Sequence, residues 1–269
     1  MGGVLNVKNF NAYTGRYSRK KRARSVERET GWKVYDLFAQ IVPVLALRAL
    51  GDERSWPLCW RNDRHLSRGV DLTLNSLKSW QAFRPFPPGT VIRKMRRALP
   101  GIVSRFQRVM LSREVKGLWR LGKQEDEVIV RISGAVQEVS NFKNPVSPMF
   151  GSKVLHFFFP ELFPVWDTEW IKRRCLAHES LITSETIRGA LWEQPAALEY
   201  SAYLSLLVRD LTVTTRTDYN RLKNICLHYS SGHGDTPHSR RWDEVAKWYF
   251  ADLAPILFEI CLLGKHCSR

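Results

Sequence analysis

Lys153 and Asp167 are the two residues whose types and positions could together do covalent chemistry. Phe150-Gly151-Ser152 reads as a turn, and an apolar helix over 153–159 follows it, so Lys153 is predicted in the first turn of that helix. Helix N-termini repel cations. With Val154, Leu155 and Phe157 around it, the amine's pKa would be pulled down. A depressed amine is what a nucleophilic lysine needs. Pro160 ends the helix, a loop follows over 161–166, and Asp167-Thr168-Glu169 suits the positive end of a next helix, with Asp167 as its N-cap. Both residues then lie at the mouths of adjacent helices and could face a shared cleft. By residue type alone, Asp167 can equally be a plain cap, and Lys153 a surface lysine snorkelling from a turn.

The charge balance says what such a cleft would meet. The 269 residues carry 42 Lys plus Arg against 26 Asp plus Glu, a net charge of +16. Few partners other than a polyanion reward such an excess. Arg84 to Lys123 holds eleven Lys or Arg and a single acid, Glu114. One-signed helices repel themselves unless a polyanion is present, so Arg84, Arg93, Arg97 and Lys116 are candidate phosphate contacts. Trp80 and Phe83 sit just before this block, as stacking platforms or as core. Residues 1–30 are expected to be a basic arm, with Arg16, Arg19, Lys20, Lys21, Arg22, Arg24 and Arg28 crowded together. The arm is either a tether to phosphate or a solvated tail.

The stretch from Asn144 to Trp170 resembles the heart of the helix-hairpin-helix DNA glycosylases, most closely their 8-oxoguanine-glycosylase-like branch. Phe150-Gly151-Ser152-Lys153-Val154 is similar to that family's hairpin and catalytic lysine, and Phe163-Pro164-Val165-Trp166-Asp167 to the approach to its aspartate. The gap of 14 residues from Lys153 to Asp167 is shorter than in better-known members, and Pro145 and Pro148 stand upstream in place of a full Gly-x-Gly pattern. The resemblance implies a protein that bends duplex DNA and flips one nucleotide into a pocket. Backbone N–H groups of Gly151 and Ser152 would hold a phosphate. Asp167 would stabilise charge on the sugar or activate water, and Lys153 would attack C1′ to form a Schiff base. The substrate would be an oxidised purine such as 8-oxoguanine, or a hypermodified base of phage DNA excised in antiviral defence. A non-catalytic DNA-binding protein on the same scaffold, and an RNA-binding or toxin-type protein, are the rival readings.

Four neighbours of the pair are candidate base-pocket residues. His156, on the helical face of Lys153, could tune the lysine or touch the base, or be a hydrogen-bonded core histidine. Trp166 and Trp170 flank Asp167, and Phe150 precedes the lysine; each could stack on a base or fill the core. Trp170, one turn beyond Asp167, suits the pocket best.

The elements that must position these residues read as helical. Helices are expected over 32–50, 71–82 (opened by Asp71), 90–98 (ended by Pro100-Gly101), 102–121, 124–139, 152–159, 167–178, 183–192, 195–209, 215–229 and 241–263, with Pro87-Pro88-Gly89 a turn. Val128–Ile132 could instead be a strand. No βαβ alternation is present, so the expectation is an all-α fold of about ten helices, in two close-packed lobes with a helix-hairpin-helix-like element and a cleft between them. After the arm, residues 31–269 would form one domain.

Other classes are disfavoured. Hydrophobic residues at 44% and aromatics at 12% exclude a disordered or fibrous chain. Five Cys without C-x-x-C spacing argue against a disulfide scaffold or zinc ribbon and fit a reducing cytoplasm. Ser231 to His238 holds two His and Asp235 but no Cys, so it reads as a surface loop and no metal is expected. No phosphate-loop motif is present, so no nucleotide cofactor is expected. The N-terminus lacks an apolar leader, and Leu253–Leu263, broken by Pro255 and Glu259, is too short to span a bilayer. The expected form is a cytoplasmic monomer bound to double-stranded DNA, with no membrane and no cofactor.

Overall fold

The computed structural model describes residues 3–18, 63–79, 88–112, 118, 125–231 and 253–267. Among these residues the chain is helical, with no strand. In chain order the α-helices are α1 (Val7–Ser18), α2 (Asp63–Ser79), α3 (Pro88–Ser112), α4 (Glu125–Ser140), α5 (Pro148–Phe158), α6 (Glu185–Leu191), α7 (Pro195–Val213), α8 (Arg216–Ser231) and α9 (Ala254–Cys267). A π-helical turn, Thr168–Arg173, and a short 3-10 turn, Leu176–His178, lie between α5 and α6. The expected helix over 32–50, and the start of the one over 241–263, fall outside the described residues. No helix among them is long and apolar enough to cross a membrane.

The helix α3 corrects the expected break at Pro100-Gly101. It runs for 25 residues through Pro100 and begins at Pro88, within the expected Pro87–Gly89 turn. An interior proline costs about 3 kcal/mol. Val91, Met95, Leu99, Ile102, Val103, Phe106 and Met110 keep the helical period across Pro100, and all are buried. At about 1.5–3 kcal/mol for each fully buried side chain, that stripe outweighs the proline. The helix α4 settles the other ambiguity: Val128, Ile129 and Ile132 share one helical face that is buried, and Glu125, Asp126 and Glu127 occupy its first turn.

Residues 3–18 correct the expected arm boundary. Val4, Leu5, Phe10 and Tyr13 are buried, which docks this segment into the core. The Asp210 carboxylate on α7 accepts the N–H groups of Val4 and Leu5 at 2.6 and 2.7 Å. The helix α1 then lies directly against α9, where a Cβ on Gly264 would collide with the Asn9 carbonyl. The bases from Arg19 to Arg28 lie outside the described residues.

The helix α5 is buried along most of its length. Ser147 caps it by accepting the Phe150 N–H at 3.3 Å, and Pro148 occupies its first turn, where no N–H is needed. Its residues Phe150, Val154, Leu155, Phe157 and Phe158 are fully buried. Its sequence neighbour α4 packs along it so closely that a Cβ on Gly151 would strike Ser140 Oγ and the Val136 carbonyl.

Candidate active site

The loop after α5 is held residue by residue. His156 Nδ1 donates to the Phe163 carbonyl at 2.7 Å, and Tyr200 Oη donates to the Pro164 carbonyl at 2.8 Å. The Glu259 carboxyl accepts the Val165 N–H. Ser152 Oγ accepts the Trp166 N–H at 3.0 Å and donates to the Met149 carbonyl at 3.2 Å. Thus four consecutive backbone groups, from residues 163 to 166, are each taken by a side chain from α5, α7 or α9. Asp167 comes next, so its position is fixed by three helices.

Asp167 does two things at once. Its Oδ1 accepts the N–H groups of Glu169 and Trp170 at 3.0 and 2.9 Å, which is the predicted N-cap. Its carbonyl accepts from both Ile171 and Lys172, at 3.0 and 2.9 Å, which makes the turn π-helical. The other carboxylate oxygen, Oδ2, lies 3.8 Å from Lys153 Nζ. Side-chain exposure is 14% for Lys153 and 25% for Asp167, so the pair is covered yet reachable.

Lys153 is not in the first turn of α5, as the sequence suggests, but in its second, because Ser147-Pro148 starts the helix earlier. Its amine is nevertheless held below the ordinary lysine range. Burial is the leading cause, and the carboxyls of Asp167 and Glu259 pull the other way. A second lysine stands near: Lys143, 4% exposed, lies 5.3 Å over the Phe150 ring and is also held down, by burial first and then by Lys153.

Glu259 is a residue of this site that sequence reading passes over. It is 8% exposed on α9, between the buried Phe258 and Ile260. Burial, and then Asp167, push its carboxyl up to about 8, against the opposing pull of Lys153 and of the Val165 N–H. The available signal is a lone acid inside an otherwise apolar helix, since such a residue is rarely buried without partners.

The base-pocket candidates separate. Trp170 is 39% exposed beside Asp167, with the Arg174 guanidinium 4.2 Å over its ring. Trp166, 2% exposed, packs edgewise on Tyr203 at 5.5 Å, and Phe150 is fully buried. His156 is buried and pushed down to about 4 by burial, so it is a neutral donor to the loop. Phe150, Trp166 and His156 therefore belong to the core that carries the pair. Gly151 and Ser152 are also buried, and the Gly151 N–H donates to the Ser147 carbonyl at 3.1 Å within the helix. Gly151 is closely packed on α4, and the Ser152 hydroxyl is tied to the Trp166 N–H.

Arg93 and Arg97 are exposed on α3, while Arg84, Lys116, Trp80 and Phe83 lie outside the described residues. The one-signed charge of this helix is partly balanced in space. Arg96 lies 3.3 Å from Asp71 of α2, and Arg105 pairs with Glu138 of α4. The His/Gly loop at 232–238 also lies outside the described residues, and among those described no His, Cys, Asp and Glu gather as metal ligands. Cavities of about 980 and 260 Å³ open elsewhere, and neither takes in Lys153 or Asp167. The chain matches no family model, no curated protein and no solved structure.

Proposed function

We propose that the protein is a DNA glycosylase that flips a modified base from duplex DNA and excises it, leaving an abasic site. The observation that carries this reading is the 3.8 Å approach of Lys153 Nζ to Asp167 Oδ2, made by the two residues that the family resemblance assigns to the reaction. The Asp167 carboxylate stabilises positive charge on the sugar as the N-glycosidic bond breaks, or orients the attacking water. Burial favours the neutral form of Lys153. As a free amine, Nζ attacks C1′, and the bond from C1′ to the base breaks. The base leaves with the bonding pair and takes up one of the two Nζ protons. Loss of the Nζ proton to the opening ring oxygen then gives the Schiff base. Trp170 and Arg174 offer an exposed ring and cation beside the pair, and Arg93 and Arg97 offer charge to phosphates. The substrate class is a modified base, either a hypermodified base of phage DNA or an oxidised purine such as 8-oxoguanine.

The test is base release from DNA carrying 8-oxoguanine, uracil, alkylated bases or phage-type modified cytosines, read by alkali cleavage and mass spectrometry. Borohydride trapping on the substrate that reacts reports the Schiff base. Trapping by wild type and its loss in Lys153→Gln support the lyase route. Base release without trapping leaves Asp167 with water as nucleophile. No release from any substrate overturns the reading.

A further inference from the structure

Three ionisable groups share one covered site, and only two of them can balance each other. Lys153 and Asp167 form the pair at 3.8 Å. Glu259, from α9, is tied to the Val165 N–H, two residues before Asp167, and is 8% exposed. A second negative charge there would share Lys153 with Asp167 and would meet little water. Glu259 is accordingly held as the neutral acid up to about pH 8, by burial and then by Asp167. The groups whose charge reaches it are Asp167 and Lys153, and its own charge would act on Tyr200 and Tyr203 of α7. The Lys153 charge in turn helps burial to hold the Lys143 amine down.

We infer that Glu259 is a positioning residue that sets the charge of Lys153, leaving it free to become an amine while Glu259 keeps its proton and pinning it as an ammonium once that proton leaves. The inference rests on the proposed reading of Lys153 as a nucleophile, and it names the control of that nucleophile. The chemistry follows from the sign of the coupling: the Glu259 carboxylate raises the lysine's proton affinity. Loss of the first proton from the site is then shared between the two groups, and neither titrates alone.

The test needs no DNA. The full-length protein is labelled briefly with isotopic formaldehyde and cyanoborohydride across the neutral-to-alkaline range, and methylation of Lys153 is followed by mass spectrometry. Lys172, paired with Glu199 at 2.8 Å, is the internal reference. The wild-type Lys153 profile is expected to be broader than a one-proton curve. In Glu259→Gln, which keeps the acceptor for Val165, the profile is expected to sharpen and move to lower pH, with severalfold faster labelling in the mildly alkaline range. Lys172 should not move. A one-proton curve in wild type overturns the inference even where the variant fails to fold. An unshifted Lys153 midpoint in a folded variant overturns it too. Labelling is independent of base release, so this result stands apart from the success or failure of the glycosylase assay.

Discussion

The two oxygens of the Asp167 carboxylate face different partners: Oδ1 caps the turn that opens at Thr168, and Oδ2 faces Lys153 Nζ at 3.8 Å. The cap holds the carboxylate still, so its approach to the amine is built into the backbone. The loop ties from His156, Tyr200, Glu259 and Ser152 serve the same end. A covered cation–carboxylate pair has a large stake in such fixing, since water cannot stand in for a misplaced partner.

Ser152→Ala should both destabilise the protein and blunt its activity. The change removes the acceptor of the buried Trp166 N–H, one residue before Asp167. An orphaned buried donor costs about 1–3 kcal/mol. Urea denaturation should show that loss, and any base release should fall with it. Unchanged stability would mean that the loop is held without this tie.

His156 gives a pH signature in stability. Its folded pKa, about 4, lies below the ordinary value of 6.5, so the unfolded chain binds the extra proton first. Stability from this residue is complete above pH 6.5 and is lost as pH falls from 6.5 towards about 4. At 1.36 kcal/mol per unit the total is about 3 kcal/mol. His156→Gln can still donate to the Phe163 carbonyl. Denaturation at a series of pH values should therefore show wild type losing about 3 kcal/mol more than the variant across that window. Parallel curves would contradict a buried neutral histidine.

Gly151→Ala tests the packing role of the glycine that resemblance assigns to phosphate binding. Its Cβ would meet Ser140 Oγ and backbone of α4, which cannot step aside cheaply. Overpacking of this kind costs about 1–3 kcal/mol. Thermal melts should fall accordingly, while the salt dependence of DNA binding should not change. The opposite pattern would return Gly151 to the DNA.

Arg93 and Arg97 should carry part of the electrostatic binding. Each change to Ala is expected to lower the slope of log affinity against log salt by about 1, uniformly across sequences. Arg105→Ala should do less, because Arg105 is already engaged by Glu138. Fluorescence anisotropy with labelled duplex over a salt series measures all three. Equal slopes for wild type and the Arg93 and Arg97 variants would remove this face from the interface.

Particular residues show what could be read from the sequence. Asp167 was legible, because Asp-Thr-Glu after a proline-rich loop has the local chemistry of a cap, and caps are local. Ser147-Pro148 carries an equally local signal for the start of α5, but Phe150-Gly151-Ser152 reads as a turn, with Gly151 at its middle. The close approach of Gly151 to α4 is something no local pattern reveals. Pro100 read as a stop because proline usually is one; here a continuous buried stripe on α3 outweighs it. The acids that offset the basic block, Asp71 and Glu138, sit on other helices, so only the folded chain brings them to it. Glu259 carries the least local signal. Its partners Lys153 and Asp167 are remote in sequence, and a lone acid in an apolar helix looks like an interruption until the helix is packed.

The most direct measurement of the central claim is mass spectrometry of bases released from a panel of modified DNAs by wild type, Asp167→Asn and Lys153→Gln, with circular dichroism confirming that each variant is folded. The account predicts release of one modified base by wild type and loss of that release by at least about a hundredfold in Asp167→Asn, the scale of a removed acid–base or electrostatic group. Release by Asp167→Asn at the wild-type rate, or tight DNA binding by wild type with no base released from any member of the panel, would contradict it.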